Sequence, residues 1–195
     1  MQQLALFLPA DAGARTLVDD ATGRIVYTPD VVDFDLCGVW FAELRAAVDW
    51  HHERRPMYDR IVDVPRLTAY FGIGEPLPPA LHAAKQAVEA FLGVRFNTVG
   101  LNLYRDGRDS VAMHSDHTEE LIAGSPVALL SLGATRRMRI HTKRRPRTIF
   151  DVDLEPGSIL LMSGAAQENY EHGVPKSRDA LGERISLAFR QRPAP

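Results

Sequence analysis

Four residues in the stretch Asn102 to Asp116, NLYRDGRDSVAMHSD, have types and a spacing that could do chemistry. The stretch reads as two short strands joined at Asp-Gly, with Asn102 and Tyr104 two apart on the first and His114 and Asp116 two apart on the second. Side chains two apart on a strand point the same way, so each pair can face one cavity. A histidine and a carboxylate held in that way are two thirds of a 2-His-1-carboxylate iron site. The pair alone has little specificity, because seven histidines among 195 residues with 25 acids produce about one His-x-acid pair by chance. Its weight comes from residues further along the chain.

His172, between a Glu and Gly-Val-Pro, stands where a returning strand could bring a third ligand. His141 is the other candidate, and the cations around it oppose binding of a divalent ion. Three protein ligands leave open positions on a metal, which an iron oxygenase needs for a cosubstrate and O₂. Near the end of the chain, Arg184 and Arg190 share strand parity in RISLAFR, while Leu187 and Phe189 face the other way. Two inward arginines call for a buried anion. Their guanidinium forks suit a dicarboxylate that meets the metal at one end and an arginine at the other. A metal-binding carboxylate normally has a partner of its own, and Arg184 is the expected partner of Asp116.

The elements that position these residues are legible in outline. The first 30 residues read as loop with one extended piece, Arg24 to Thr28. Leu36, Trp40, Leu44 and Val48 recur every fourth position and predict a helix over Asp35 to Asp49. A second helix is predicted from Pro79 to Leu92, with Pro at its start and Gly93 at its end. Between them Tyr58 to Val64 and Arg66 to Phe71 read as two strands separated by Pro65. After Gly93 the pattern changes to eight short strands: Thr98 to Tyr104, Ser110 to His114, Val127 to Leu132, Met138 to Thr142, Thr148 to Val152, Ser158 to Met162, Glu171 to Val174 and Arg184 to Phe189. Eight strands at roughly ten-residue spacing suit a jelly roll.

Composition sets the class. With 195 residues, 45% hydrophobic and 25% charged, one globular domain with a sizeable core is expected. A net charge of −2 exerts no global pull on nucleic acid. Charge is local instead: Arg136 to Arg147 holds six Arg, one Lys and one His with no acid, and Arg137, Arg139, His141 and Lys143 alternate onto one face along which a polyanion could lie. The lone Cys37 excludes an internal disulfide and fits a reducing compartment. The LALFL run is too short for a signal segment and no apolar run approaches a membrane span, so a cytoplasmic location is expected.

The combination NLYRDGRDSVAMHSD, SPVALLSLGATR, GSILLMSGAAQENYEHGVPK and RISLAFR, preceded by PRLTAYFG at Pro65 to Gly72, resembles the AlkB family of iron(II) and 2-oxoglutarate-dependent dioxygenases. It is most similar to the branch of animal AlkB homologues that repair alkylated DNA and RNA, and the resemblance covers about residues 60 to 192. It implies an α+β fold: a double-stranded β-helix (jelly roll) over 96–192, with N-terminal helices and a nucleotide-recognition lid over 1–95, in a single domain acting as a monomer. It also implies His114, Asp116 and His172 as iron ligands, and Asn102, Tyr104, Arg184 and Arg190 as contacts to 2-oxoglutarate, with O₂ as the oxidant. The activity implied is hydroxylation of an N-alkyl group on a base, with release of formaldehyde, succinate and CO₂. The same chemistry on a protein side chain or a small molecule is the alternative.

An alkyl group on a pairing edge is reachable only on a flipped or single-stranded base. Trp50, Tyr58, Arg66, Tyr70 and Phe71 are the candidate lid contacts, and Arg137 and Arg139 the candidate backbone contacts. Thr118 stands where related repair enzymes commonly have an acid, and Ser186 where an Asn is frequent between the two arginines. After PRLTAYFG the chain runs through GIGEPLPP directly into the second helix, where repair homologues carry an additional aromatic hairpin.

Overall fold

A computed structural model of the protein describes residues 13–57, 60–179 and 181–194, with the backbone alone for 53–57 and 60–63. The eight strands after the second helix form as expected: β5 (Thr98–Tyr104), β6 (Val111–His114), β7 (Val127–Gly133), β8 (Arg136–Thr142), β9 (Ile149–Leu154), β10 (Ile159–Ser163), β11 (Tyr170–Val174) and β12 (Arg184–Arg190). Four of them, in the order β10-β7-β12-β5, face the other four, in the order β6-β11-β8-β9, and every pairing is antiparallel. This is the double-stranded β-helix.

The first half of the chain widens the larger sheet. Strands β1 (Arg15–Asp20) and β2 (Gly23–Thr28) add beyond β10, while β3 (His51–Met57) and β4 (Arg60–Phe71) add beyond β5. Strands β1 and β3 carry no alternating apolar pattern, so periodicity does not announce them; each forms because a neighbour supplies its ladder. Pro65 does not separate two strands, and β4 runs through it. Between His52 and Arg54 of β3 the register against β4 shifts, from a pair with Leu67 to a pair with Asp63. Pro65 lies in that irregularity, where its missing N–H removes no ladder bond and its carbonyl accepts from the Ser110 N–H at 2.8 Å.

Helices α1 (Phe34–Ala47) and α2 (Pro79–Leu92) cover the outer face of the large sheet. Asp33 caps α1 by accepting from the N–H groups of Asp35 and Leu36 at 2.9 and 3.2 Å. Gly93 closes α2 at φ +66°, a left-handed conformation that suits glycine. Cys37, Trp40 and Leu44 of α1 and Leu81, Ala84 and Val88 of α2 pack on Leu101, Leu103, Leu187 and Phe189. With those odd-numbered residues turned to the helices, the pleat turns Asn102, Tyr104, Arg184, Ser186 and Arg190 into the space between the sheets. Among the described residues, no helix is long and apolar enough to cross a membrane.

Candidate metal and cosubstrate site

His114 ends β6 and lies directly opposite His172 on β11, with ring centroids 4.5 Å apart. Asp116 follows two residues after His114, and one ligand atom from each of the three lies within 4.8 Å of the others. Each side chain is already oriented. Nδ1 of His114 donates to the Ala112 carbonyl at 2.9 Å, which leaves Nε2 with its lone pair for a metal. His172 is buried, and burial, with repulsion from His114 and Arg190, pushes its pKa down to about 3, so it is a neutral ligand at physiological pH. Burial alone would raise the Asp116 carboxyl, but the charge and hydrogen bonds of Arg190 hold it below the usual carboxylate range. His141 stays outside the cluster, buried beside Glu171 at 3.7 Å.

The partner of Asp116 is Arg190 and not Arg184. Nη2 of Arg190 donates to Oδ1 at 2.8 Å and Nε to Oδ2 at 3.3 Å. Arg184 is fully buried and points elsewhere: Nη2 donates to the Ser131 hydroxyl at 2.8 Å, its Cζ lies 5.3 Å from the Tyr104 ring centroid, and Nε and Nη1 have no partner. Burial, with repulsion from Arg136, lowers its pKa to about 10, so it remains a cation at pH 7. A buried guanidinium with two orphaned N–H groups is costly unless an anion meets it. A carboxylate supplies charged acceptor oxygens for donors of this kind, so the residues present suit the distal end of 2-oxoglutarate. Asn102, one row along the sheet opposite Ser186, accepts from Nε of Arg66 at 2.6 Å.

Three residues around the site carry no signal in the motifs. Gln167, in the short helix α3 (Ala166–Asn169), accepts the Asp116 N–H on Oε1 at 2.8 Å, and the Ser115 hydroxyl donates to the Tyr170 carbonyl at 2.8 Å. Arg136, counted in the basic run, is 1% exposed and donates to three backbone carbonyls inside the protein. Only the tertiary packing shows these contacts.

A cavity of about 790 Å³ opens on the His114 and Asp116 side of the cluster, lined among others by Arg66, Met113, Arg139 and Lys176. Of the candidate lid residues, Arg66 lines it. Trp50 and Phe71 pack instead against the helical core, and Tyr70 is exposed with Arg192 over its ring at 5.5 Å. Tyr58 lies outside the described residues. The basic face is not a free row of cations. Arg137 pairs with Asp153 and Arg139 with Asp151 across β9, His141 is buried, and Lys143 donates to the Gln167 carbonyl at 2.9 Å. The acids of β9 come after the basic run in the chain, so the window that shows the cations does not contain them.

A jelly roll with a His, Asp and His cluster at one mouth and a buried arginine behind it is the architecture of an Fe(II)/2-oxoglutarate oxygenase, and residues 69–190 match the 2OG-Fe(II) oxygenase superfamily. Two solved structures share the fold: OsALKBH1, with a TM-score of 0.61 and 16% identity over 91% of this chain and 100% of that one, and a Pseudomonas putida prolyl-4-hydroxylase, with 0.57 and 17% over 87% and 93%. Sequence similarity is narrower. The alpha-ketoglutarate-dependent dioxygenase alkB homolog 3 of Bos taurus is 33% identical over 86% of this chain and 65% of its own length, and that of Homo sapiens 31% over 90% and 68%. The DNA oxidative demethylase ALKBH2 of Mus musculus is 34% identical over 60% of this chain and 52% of its own. The chain belongs to the AlkB family of 2OG-Fe(II) oxygenases, whose cofactor set is Fe(II), 2-oxoglutarate and O₂. It spans about two thirds of the length of the alkB homolog 3 proteins it matches.

Proposed function

We propose that the protein is a dioxygenase that oxidatively dealkylates N-alkylated bases in single-stranded DNA or RNA. The observation that carries the reading is one arrangement: a His114, Asp116 and His172 cluster of which His114 and Asp116 line a cavity of about 790 Å³, together with a buried Arg184 that has two N–H groups in want of an anion. The substrate class is suggested by the name of one relative, the DNA oxidative demethylase ALKBH2.

On this reading His114, Asp116 and His172 hold Fe(II), Arg184 and Tyr104 receive the distal carboxylate of 2-oxoglutarate, and Asn102 and Arg190 flank its other end. When bound, the metal with 2-oxoglutarate and O₂ supplies hydroxylation of a C–H bond, with conversion of the cosubstrate to succinate and CO₂. The chain's own residues orient and shield. Gln167 and Arg190 fix Asp116 by its backbone and its carboxylate, Arg66 stands between the cavity and Asn102, and the walls of the cavity exclude water around the target group. The hydroxylated N-alkyl product falls apart into formaldehyde and the unmodified base. On this reading Lys176, at the cavity wall, contacts the backbone of an incoming strand, and Arg139 does so in competition with Asp151.

The test measures succinate and formaldehyde from purified protein with Fe(II), ascorbate and 2-oxoglutarate, with and without a single strand containing 1-methyladenine or 3-methylcytosine. Formaldehyde that needs the oligonucleotide and disappears in His114→Ala is the expected result. The Arg137–Asp153 and Arg139–Asp151 pairs, which neutralise the basic face, favour a second reading in which the same chemistry acts on a protein or small molecule. Succinate formed with no dependence on the oligonucleotide would support that one.

A further inference from the structure

We propose that Arg136 is a positioning residue for the cosubstrate: it holds Tyr104 and Arg184 in the arrangement that receives a dicarboxylate, and ties that arrangement to the strands bearing His114 and His172. The proposal rests on the assignment of Arg184 to the distal carboxylate of 2-oxoglutarate.

Arg136 opens β8 in the smaller sheet, whereas Tyr104 and Arg184 face each other across β5 and β12 in the larger one. Its guanidinium crosses between them. Nη1 donates to the Asp106 carbonyl at 2.8 Å, and Nη2 to the carbonyls of Asp109 at 2.7 Å and Pro175 at 3.0 Å. Asp106 and Asp109 lie in the turn from β5 to β6, which leads to His114; Pro175 directly follows β11, which carries His172. One buried side chain therefore fastens the segments that join the cosubstrate strands to the metal strands.

The same guanidinium lies over the Tyr104 ring with Cζ 5.3 Å from its centroid, the distance at which Arg184 also meets that ring. The Tyr104 ring therefore meets one guanidinium from each sheet. Among the described residues, neither pairs with a carboxylate; that of Asp109, in this same turn, is occupied by Arg105 at 2.8 and 2.9 Å. The division of labour is set by the hydrogen bonds. Arg136 spends its N–H groups on carbonyls and is fixed, while Arg184 keeps Nε and Nη1 for a ligand. An arginine is needed because only a planar fork reaches three carbonyls and still presents a face to the ring. A lysine retains the charge but, as a compact ammonium, cannot span separated carbonyls and lay a planar face on the ring at once.

The experiment compares wild type, Arg136→Lys and Arg184→Met as the full chain, with Mn(II) in place of Fe(II), by calorimetric titration of 2-oxoglutarate and by Mn(II) binding. Arg136→Lys is expected to weaken 2-oxoglutarate by about tenfold or more while Mn(II) affinity stays within about threefold. With Fe(II), its KM for 2-oxoglutarate rises by the same factor and kcat at saturating cosubstrate holds within about threefold. Unchanged 2-oxoglutarate affinity in Arg136→Lys, or equal losses of metal and cosubstrate, would overturn the positioning role. Retained affinity in Arg184→Met overturns the cosubstrate reading itself, and the proposal with it. Should Arg136→Lys not fold, amide exchange in the wild type decides: 2-oxoglutarate is expected to slow exchange at 104–110 and 174–178, and no slowing there overturns the proposal.

Discussion

Arg190 grips Asp116 with two hydrogen bonds, at 2.8 and 3.3 Å, across 74 residues of chain. Both side chains are mostly buried, at 19% and 9% exposed, so the pair is poorly screened. Removing one partner of a buried pair leaves the other charge uncompensated and costs about 3 kcal/mol. Arg190→Met is expected to lower unfolding free energy at pH 7 by that order, measured by urea titration. The carboxyl is held below its ordinary pKa in the fold, so its contribution is present above the unfolded value of about 3.9 and is lost as pH falls through the folded one. In Arg190→Met that acid loss moves to higher pH.

Arg184 has the opposite balance. Its charge is buried with two N–H groups unsatisfied, so the apoprotein carries a cost that a ligand relieves. Arg184→Met is expected to leave apoprotein stability equal or raise it by about 1–3 kcal/mol. In thermal melts 2-oxoglutarate stabilises the wild type and does nothing for the variant. A variant less stable than wild type would show that the arginine is a fold element first.

His172 links stability to pH in another window. Its pKa of about 3 in the fold lies below the ordinary 6.5, so between these values the unfolded chain binds the extra proton. Stability of the apoprotein therefore rises with pH across that window, by up to about 1.4 kcal/mol per pH unit. Urea unfolding at pH 5, 6 and 7 measures the slope above the range in which Asp116 titrates. His172→Asn, which cannot take the proton, is expected to flatten it.

Gln167 fixes the backbone of Asp116 from a buried position. Gln167→Leu keeps the volume and removes the acceptor. Metal affinity, followed by Co(II) absorption, is expected to fall by about tenfold, the usual order for a residue that orients a ligand. Unaltered affinity would assign the orientation of Asp116 to Arg190 alone.

Asp151 and Asp153 hold the two exposed arginines of β8. If a nucleic-acid strand passes along this face, Asp151→Asn with Asp153→Asn frees two cations. Single-strand affinity is expected to increase, and the salt dependence to steepen by about one counterion per arginine, read by fluorescence anisotropy over a salt series. No change in slope places the strand elsewhere.

Much of the site is legible from residue spacing because a strand encodes its own facing. Parity alone turns Asn102, Tyr104, Arg184 and Arg190 into the space between the sheets, whereas Asp116, expected on the strand with His114, lies two residues beyond the end of β6 and is oriented by Arg190 and Gln167 instead. The eight jelly-roll strands and both helices are equally readable, since each has the apolar period of its type and its own turn or cap residues. Parity says nothing about reach. Arg184 and Arg190 are equivalent in that respect, and only the register of β12 in the larger sheet, against the position of β6 in the smaller, decides that Arg190 meets Asp116. The cations of Arg136 to Arg147 are a run in one dimension, yet three dimensions bury Arg136, pair Arg137 and Arg139 with acids of β9, and turn Lys143 to Gln167. Charge and spacing are local properties that sequence determines; compensation of a charge depends on which strand lies beside it, and that is a property of the packed sheets.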